Sequence, residues 1–229
     1  RSMSSKCGSA DVLEALGVRI DLTPEQVGAA IRTVGIGFLF APAHHPAMKH
    51  AQPARSELKM RTVFNLLGPL TNPAGARRQL IGASSAAAAE LIAEALAGLG
   101  TDHAYVVNGF DGLDEVSTTG PTMVYEVRDS RIDKHLWTPA DFGVDRASLD
   151  DLRGGEREDN CGIARRVLDG EAGPARDIVV VNAAVALMAA DRAGDLRSAV
   201  GLASEAIDTG RAKAKLERLV EFSRAATHG

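Results

Sequence analysis

The chain has 229 residues, of which 45% are hydrophobic and 24% are charged, with a formal net charge of −4 at neutral pH. These values are typical of a globular protein with a substantial core, and the acidic balance disfavours a general affinity for nucleic acid or membranes. Cys7 and Cys161 lie far apart in the sequence, so neither a disulfide framework nor a four-ligand zinc site is expected. No apolar run approaches the ~20 residues of a membrane span, and we expect a cytoplasmic protein.

The first third of the chain is predicted to contain short helices marked by capping residues. Ser9 is expected to cap the first helix and Gly17 to end it, whereas Thr23 and Pro24 open the second. The apolar run Gly35–Ala41 predicts a buried strand. The predicted helices of this part cover residues 10–16, a segment from residue 24, residues 48–58 and residues 61–68.

The rest of the chain alternates strands with helices, which predicts an α/β fold with a mixed, mostly parallel sheet flanked by helices. Ser84 and Ser85 are expected to cap an alanine-rich helix, and Asp129-Ser130 separates two extended runs as in an antiparallel hairpin. The predicted strands cover residues 79–83, 103–107, 122–127 and 134–137, and the predicted helices cover residues 84–97, 160–168, 177–192, 195–207 and 212–225.

An acidic segment, Asp111–Glu115, follows the predicted strand that ends near Val107. Sheets of α/β proteins bind their ligands at the carboxyl ends of the strands. Adjacent carboxylates such as Asp114 and Glu115 suit Mg²⁺, which uses one or two carboxylates together with substrate phosphates. A solvated turn has the same composition, so the residues by themselves leave both interpretations open.

Two further segments are ambiguous in the same way. Arg1–Ser9 combines basic and hydroxyl side chains ahead of a helix, which suits either an anion site or a hydrophilic terminus. Arg55 lies in a run of mixed charge that is typical of a helix surface, yet a guanidinium also matches a carboxylate with two N–H donors. The histidines of the His44-His45-Pro46 loop have no cysteine or carboxylate at ligand spacing, so we do not expect a metal site there.

Three motifs of the chain resemble the anthranilate phosphoribosyltransferase family, which joins anthranilate to phosphoribosyl diphosphate in tryptophan synthesis. The motifs are Arg61–Pro73 (RTVFNLLGPLTNP), Gly112–Ser117 (GLDEVS) and Gly8–Asp11 (GSAD), and the likeness extends over nearly the whole chain. The resemblance implies the α/β domain shared with pyrimidine nucleoside phosphorylases, Mg²⁺ as the cofactor, and phosphoribosyl diphosphate and anthranilate as the substrates. It also implies a homodimer in the intact protein.

The resemblance implies roles for individual residues. Asp114 and Glu115 match the family's second metal-binding motif, and Arg55 stands six positions before the Arg-Thr-Val-Phe-Asn segment, where the family contacts anthranilate. His45 and Gly68 are implied as further anthranilate contacts. No residue is expected to act as an essential acid or base. The residues implied for phosphoribosyl diphosphate are Arg1, Ser2, Met3, Ser4, Ser5 and Ser9.

The resemblance also implies a division of the chain and parts of the family that precede Arg1. Residues 1–52 and 77–229 would form the α/β domain, and residues 53–76 would pack with a small helical domain. The family's Gly-Thr-Gly-Gly-Asp diphosphate loop and Lys-His-Gly-Asn motif do not occur in this sequence. We therefore expect a fragment with reduced or no activity.

Two other functions stay open. One is a nucleoside phosphorylase of the same fold, against which Arg55 and the segment Arg61–Pro73 argue. The other is a non-catalytic relative that binds nucleic acid, which the acidic balance and the lack of a basic stripe disfavour.

Overall fold

The computed structural model describes residues 7–44, residue 68 and residues 70–226. Their contacts form two compact units. The first unit is drawn from the ranges 1–62, 154–170 and 207–229, and the second from the ranges 63–153 and 171–206. The predicted division at residues 53–76 falls largely outside the described residues and stays a prediction.

The chain contains both helices and strands, as predicted, and all the strands of the described residues lie between residues 78 and 137. The helices are α1 (Ser9–Ala15), α2 (Pro24–Thr33), α3 (Ala41–His44), α4 (Ala86–Gly98), α5 (Arg157–Leu168), α6 (Pro174–Ala189), α7 (Leu196–Asp208) and α8 (Arg211–Ala225). The strands are β1 (Arg78–Gly82), β2 (His103–Gly109), β3 (Thr122–Arg128) and β4 (Arg131–Trp137), and a 3₁₀ turn covers Pro139–Phe142.

The caps of the helices follow the sequence signals closely, with one correction. The Thr23 hydroxyl accepts the amide of Gln26 at the start of α2, and Ser85 accepts the amide of Ala88 at the start of α4, as expected. At α1 the cap is Gly8, and the predicted cap Ser9 is the first helical residue. Gly8 has no side chain that could accept an amide, and the bond present is the reciprocal one of a capping box, in which the side chain of Asp11 accepts the amide of Gly8 at 2.9 Å.

The predicted strand over Gly35–Ala41 is wrong. Residues 35–40 form no regular element, and α3 begins at residue 41. Phe38 and Phe40 stack with ring centroids 6.5 Å apart and pack against the core of the first unit. Gly35 has a φ of +89°, which lies outside strand geometry. The aromatic residues are therefore covered without the backbone pairing that a strand requires.

The sheet has the order β1-β2-β3-β4 and is mixed, as predicted. Strand β1 is parallel to β2, which α4 makes possible by crossing over between them, whereas the β2–β3 and β3–β4 pairings are antiparallel. Within the described residues the parallel part is thus limited to one pair, less than the mostly parallel sheet that was predicted. The predicted hairpin is confirmed: Asp129 and Ser130 both have positive φ, as a two-residue turn between antiparallel strands demands.

Helices α4 and α6 pack on the sheet and bury its strand β2. Strand β2 is buried at all seven positions, since it lies in the middle layer. The α4 cluster contains Ile81, Ala83, Ala89, Ile92, Ala93, Leu96, Ala104, Val106, Tyr125 and Val127. The α6 cluster contains Tyr105, Val107, Val116, Val124, Phe142, Val181, Val185 and Ala189.

A polar cluster closes the amino end of β2. His103 is 3% exposed, with Nε2 2.9 Å from a Glu126 oxygen and Nδ1 3.1 Å from an Asp191 oxygen. The Tyr105 hydroxyl donates to the same Glu126 oxygen at 3.0 Å, and His135 lies 3.2 Å from the other. Burial by itself would raise the pKa of Glu126, but the hydrogen bonds from His103, Tyr105 and His135 prevail and hold that pKa below its ordinary value.

We predict that Glu126→Gln removes part of the acid sensitivity of the fold. Because the folded pKa lies below the unfolded value of about 4.3, the carboxylate's contribution is present above that value and is lost as the pH falls through the folded pKa. Urea unfolding at neutral pH should show the variant less stable by about 1–3 kcal/mol, and the difference should narrow below pH ~4. Glu94→Gln, at an exposed position of α4, is the control. A difference that is the same at both pH values would contradict this account.

The packing of α4 gives a second prediction. Leu96→Ala should lower the free energy of unfolding by about 2–5 kcal/mol, because Leu96 is 1% exposed against the sheet. Leu91→Ala makes the same change in the same helix at a position 53% exposed, and it should change stability by less than about 0.5 kcal/mol. Equal effects of the two substitutions in urea unfolding would show that α4 does not pack on the sheet through this face.

Candidate functional site

The acidic loop, defined here as residues Asp111–Thr119, lies at the carboxyl end of β2. The amide of Gly109, the last strand residue, donates to the carbonyl of Leu113 at 2.8 Å. Gly112 closes a turn by donating to the carbonyl of Gly109 at 3.0 Å, with a φ of +93° that favours glycine. Asp114 and Glu115 follow this turn, and both are exposed.

Asp111 organises the loop from within. One of its carboxylate oxygens accepts the amide of Leu113 at 3.0 Å, and the other accepts the hydroxyls of Ser117 and Thr119. The Ser117 hydroxyl in turn accepts the amide of Thr119 at 2.9 Å. Burial would raise the pKa of Asp111, but these hydrogen bonds outweigh it and lower that pKa. Asp111 is therefore an ionised brace that closes the loop upon itself.

Two glycines let the backbone approach the loop. Gly82, at the carboxyl end of β1, lies so close to the loop that an added Cβ would overlap the carbonyl oxygen of Asp114. At Gly109, an added Cβ would overlap a carboxylate oxygen of Asp111. Because β1 and β2 are parallel, their carboxyl ends meet at one edge of the sheet, and the loop folds over both.

Helix α6 and the segment after the 3₁₀ turn hold the far half of the loop. The side-chain oxygen of Asn182 accepts the amide of Val116 at 2.9 Å, and its NH₂ group donates to the carbonyl of Val116 at 2.9 Å. Arg146 Nε donates to the carbonyl of Thr119 at 2.7 Å. The loop is thus fixed on both sides of the Asp114–Glu115 pair.

The carboxylate pair itself carries uncompensated negative charge. Although much of the Glu115 residue is exposed, the protein atoms around its carboxyl group raise its pKa by desolvation, and the negative charge of Asp114 adds to this rise. Across the described residues, no group of three or more histidine, cysteine, aspartate or glutamate side chains could hold a metal ion. A pair of exposed carboxylates on a fixed loop nevertheless fits Mg²⁺, which completes its shell with water and substrate phosphate oxygens.

The structure reaches four of the predicted site residues. Asp114 and Glu115 lie together on the acidic loop, whereas Ser9 and Gly68 are exposed residues of separate segments. The other predicted contacts lie outside the described residues and stay predictions: Arg1, Ser2, Met3, Ser4, Ser5, His45 and Arg55.

Sequence reasoning missed the groups that support the pair, Gly82, Asp111 and Asn182. Asn182 gave a usable signal, because an asparagine among valines and alanines in a helix interior is unfavourable unless its amide has partners. The role of Gly82 gave none, since it depends on the parallel pairing of two strands.

Comparison with known proteins places these features in a family. A family described as "Glycosyl transferase family, a/b domain" matches residues 1–213. The chain belongs to this family. It is 57% identical to the anthranilate phosphoribosyltransferase of Solibacter usitatus over 223 residues, which are 97% of this chain and 66% of that protein. The corresponding enzyme of Desulforudis audaxviator is 52% identical over 227 residues, 99% of this chain and 66% of that protein. The chain thus spans about two thirds of the length of the curated relatives it matches.

Solved structures agree with the predicted fold class and resemblance, which are confirmed. The crystal structure of anthranilate phosphoribosyltransferase from Thermus thermophilus superimposes with a TM-score of 0.92 at 47% identity, over 98% of this chain and 67% of that one. The Saccharomyces cerevisiae enzyme in complex with PRPP (phosphoribosyl diphosphate) and Mg has a TM-score of 0.89 at 27% identity, over 99% of this chain and 64% of that one. Within the part of the chain that the structure describes, no helix is long and apolar enough to cross a membrane.

We predict that Gly82→Ala disturbs the acidic loop. The new Cβ would meet a backbone oxygen, which cannot move aside as a flexible side chain can, so the free energy of unfolding should fall by about 2 kcal/mol or more. Gly98→Ala is the matched control, because Gly98 ends α4 and has open space around it. Urea unfolding should show the control at least as stable as the parent chain. A Gly82→Ala variant as stable as its parent would show that the close approach is absent in solution.

Proposed function

We propose that this chain carries the Mg²⁺ site and part of the substrate sites of an anthranilate phosphoribosyltransferase, with Asp114 and Glu115 as the metal ligands. The observation that supports this most is the exposed carboxylate pair on a braced loop at the carboxyl ends of β1 and β2. The relatives named anthranilate phosphoribosyltransferase suggest the reaction, and the Saccharomyces cerevisiae enzyme in complex with PRPP and Mg suggests the ligands.

The proposed reaction forms a bond between the amine nitrogen of anthranilate and ribose C1, and it breaks the bond between C1 and the diphosphate oxygen. The products are N-(5-phosphoribosyl)anthranilate and diphosphate, and the proton that the amine nitrogen loses would pass to diphosphate or solvent water. Mg²⁺, when bound, would offset the negative charge that builds on the departing diphosphate. Asp114 and Glu115 would fix the position of the Mg²⁺ ion. The braced loop would hold these two ligands in place before substrate binds.

The remaining groups of the chain bind and orient in this proposal. The basic and hydroxyl side chains of Arg1–Ser5, with Ser9, would donate hydrogen bonds to phosphate oxygens. Arg55 would hold the anthranilate carboxylate, with His45 and Gly68 beside the ring. The complex of the Saccharomyces cerevisiae enzyme with 4-fluoroanthranilate supports this ligand class. No catalytic acid or base is assigned, because an aromatic amine held against an oxocarbenium-like carbon gains its rate from positioning.

The homodimer implied by the resemblance and the cytoplasmic location expected from the sequence pattern stay predictions for the whole protein. Since the relatives extend beyond the matched part, binding by the 229-residue chain and turnover by the whole protein are separate measurements.

We predict that this chain binds phosphoribosyl diphosphate in a Mg²⁺-dependent manner. Titration calorimetry should show binding that weakens at least tenfold without Mg²⁺, in Asp114→Asn and in Glu115→Gln, because each change removes a charge that the metal needs. The double variant Asp150→Asn, Asp151→Asn is the control, since it alters another exposed adjacent acidic pair and should bind like the parent chain.

Three results would contradict the proposal. A folded parent chain that binds no phosphoribosyl diphosphate would place the affinity outside these residues. Binding that is equal with and without Mg²⁺ would remove the metal site. Tight binding of a pyrimidine nucleoside with phosphate, in place of phosphoribosyl diphosphate, would favour the phosphorylase.

A further inference from the structure

We infer that Asn182 is a positioning residue that holds the Asp114–Glu115 pair in place for the metal ion. The inference rests on the function proposed above, because it concerns the same loop. It adds a residue from a different element, which the sequence motif of the loop does not contain.

The contacts of Asn182 form a clamp on a single residue. Its side-chain oxygen accepts the Val116 amide and its NH₂ group donates to the Val116 carbonyl, both at 2.9 Å. Val116 is fully buried and directly follows Glu115. One side chain thus satisfies both backbone groups of the residue next to the proposed ligands, in the way that a neighbouring strand would.

The clamp is itself rigid. The NH₂ group of Asn182 also donates to the carbonyl of Ile178, one turn earlier in α6, at 2.9 Å. Helix α6 packs on the sheet through Val181 and Val185, both fully buried. The backbone of Val116 is therefore held by a helix that is packed in the core of the second unit.

The Asp114–Glu115 pair needs such a tie. In the part of the chain that the structure describes, neither carboxylate takes part in a hydrogen bond or an ion pair that would hold it. Their like charges oppose one another, so electrostatics drives the two side chains apart until a cation arrives. Asp111 braces the loop before and after the pair through Leu113, Ser117 and Thr119, whereas Asn182 is the group that fixes the backbone immediately after it.

Asn160 provides a matched control. Its side chain makes the same kind of clamp, accepting the amide of Gly155 at 2.9 Å and donating to the carbonyl of Gly155 at 3.1 Å. It belongs to α5, in the first compact unit, whereas the acidic loop belongs to the second. Asn160→Ala should therefore cost stability in a similar way without altering the metal site.

The experiment combines two readouts on the full 229-residue chain. Hydrogen–deuterium exchange without metal should show faster exchange across residues 113–117 in Asn182→Ala, and no change there in Asn160→Ala. Calorimetry of phosphoribosyl diphosphate at a series of Mg²⁺ concentrations should then give a half-saturating Mg²⁺ concentration about tenfold higher in Asn182→Ala, the lower end of the range for residues that support metal ligands. Asn182→Ser, with a similar helix propensity, should reproduce both effects if the alanine variant folds poorly.

The outcomes separate this inference from the proposed function. Unchanged exchange across residues 113–117 in a folded Asn182 variant would overturn the clamp. Faster exchange with an unchanged Mg²⁺ requirement, while Asp114→Asn abolishes that requirement, would overturn the positioning role and leave the proposed function standing. A Mg²⁺ requirement insensitive to Asp114→Asn and Glu115→Gln would overturn both.

Discussion

The burial of β2 is the constraint on which the arrangement of this chain depends. Helices α4 and α6 pack on the sheet, and all seven residues of the strand are buried. The polar clusters therefore lie at the two ends of the strand, one at His103 and the other beyond Gly109. The parallel neighbour β1 ends at the same edge as Gly109, and Asn108 joins the two strands there by donating to the carbonyl of Ala83 at 2.8 Å. A loop that leaves β2 thus meets a second strand end at once.

The carboxylates at the two ends of β2 differ in whether the protein supplies partners for their negative charge. At the amino end, Glu126 has hydrogen bonds from His103, His135 and Tyr105, and Asp191 contacts His103, Arg78 and Arg128. Each carboxylate there is matched by donors within the protein, which indicates a structural cluster. At the carboxyl end, the Asp111 carboxylate accepts hydrogen bonds from neutral donors of its own loop. Among the described residues, no cationic side chain lies against the Asp114–Glu115 pair. Charge that the fold holds in place and leaves uncompensated favours a ligand of opposite sign.

Sequence patterns predicted what depends on near neighbours in the chain. Thr23 and Ser85 were expected as caps because their partners lie three residues away, and Asp129-Ser130 was expected as a turn because two residues decide it. The strand predicted at Gly35–Ala41 failed because apolar runs report burial, and Phe38 with Phe40 is covered without a pairing strand. Asn182 was missed because its partner Val116 lies 66 residues away. The motif could point to the carboxylates, but the groups that hold them come from another strand and another helix.

The braced loop and its supports, Gly82 and Asn182, all lie in the second compact unit. This has a physical consequence for how the proposed reaction is divided along the chain. The strength of metal binding would depend on groups that fold together around β2, whereas anthranilate recognition is assigned to Arg55 and His45, in a different segment. If Mg²⁺ binds at this loop as proposed, changes at Gly82 or Asn182 would alter the backbone that holds its ligands and would appear in the Mg²⁺ requirement. Under the proposed assignment, a change at Arg55 would remove the cation that matches the substrate carboxylate, so it would appear in anthranilate binding and leave the Mg²⁺ requirement as it is. If either change altered both the Mg²⁺ requirement and the affinity for anthranilate, the two sites would be coupled and not separable.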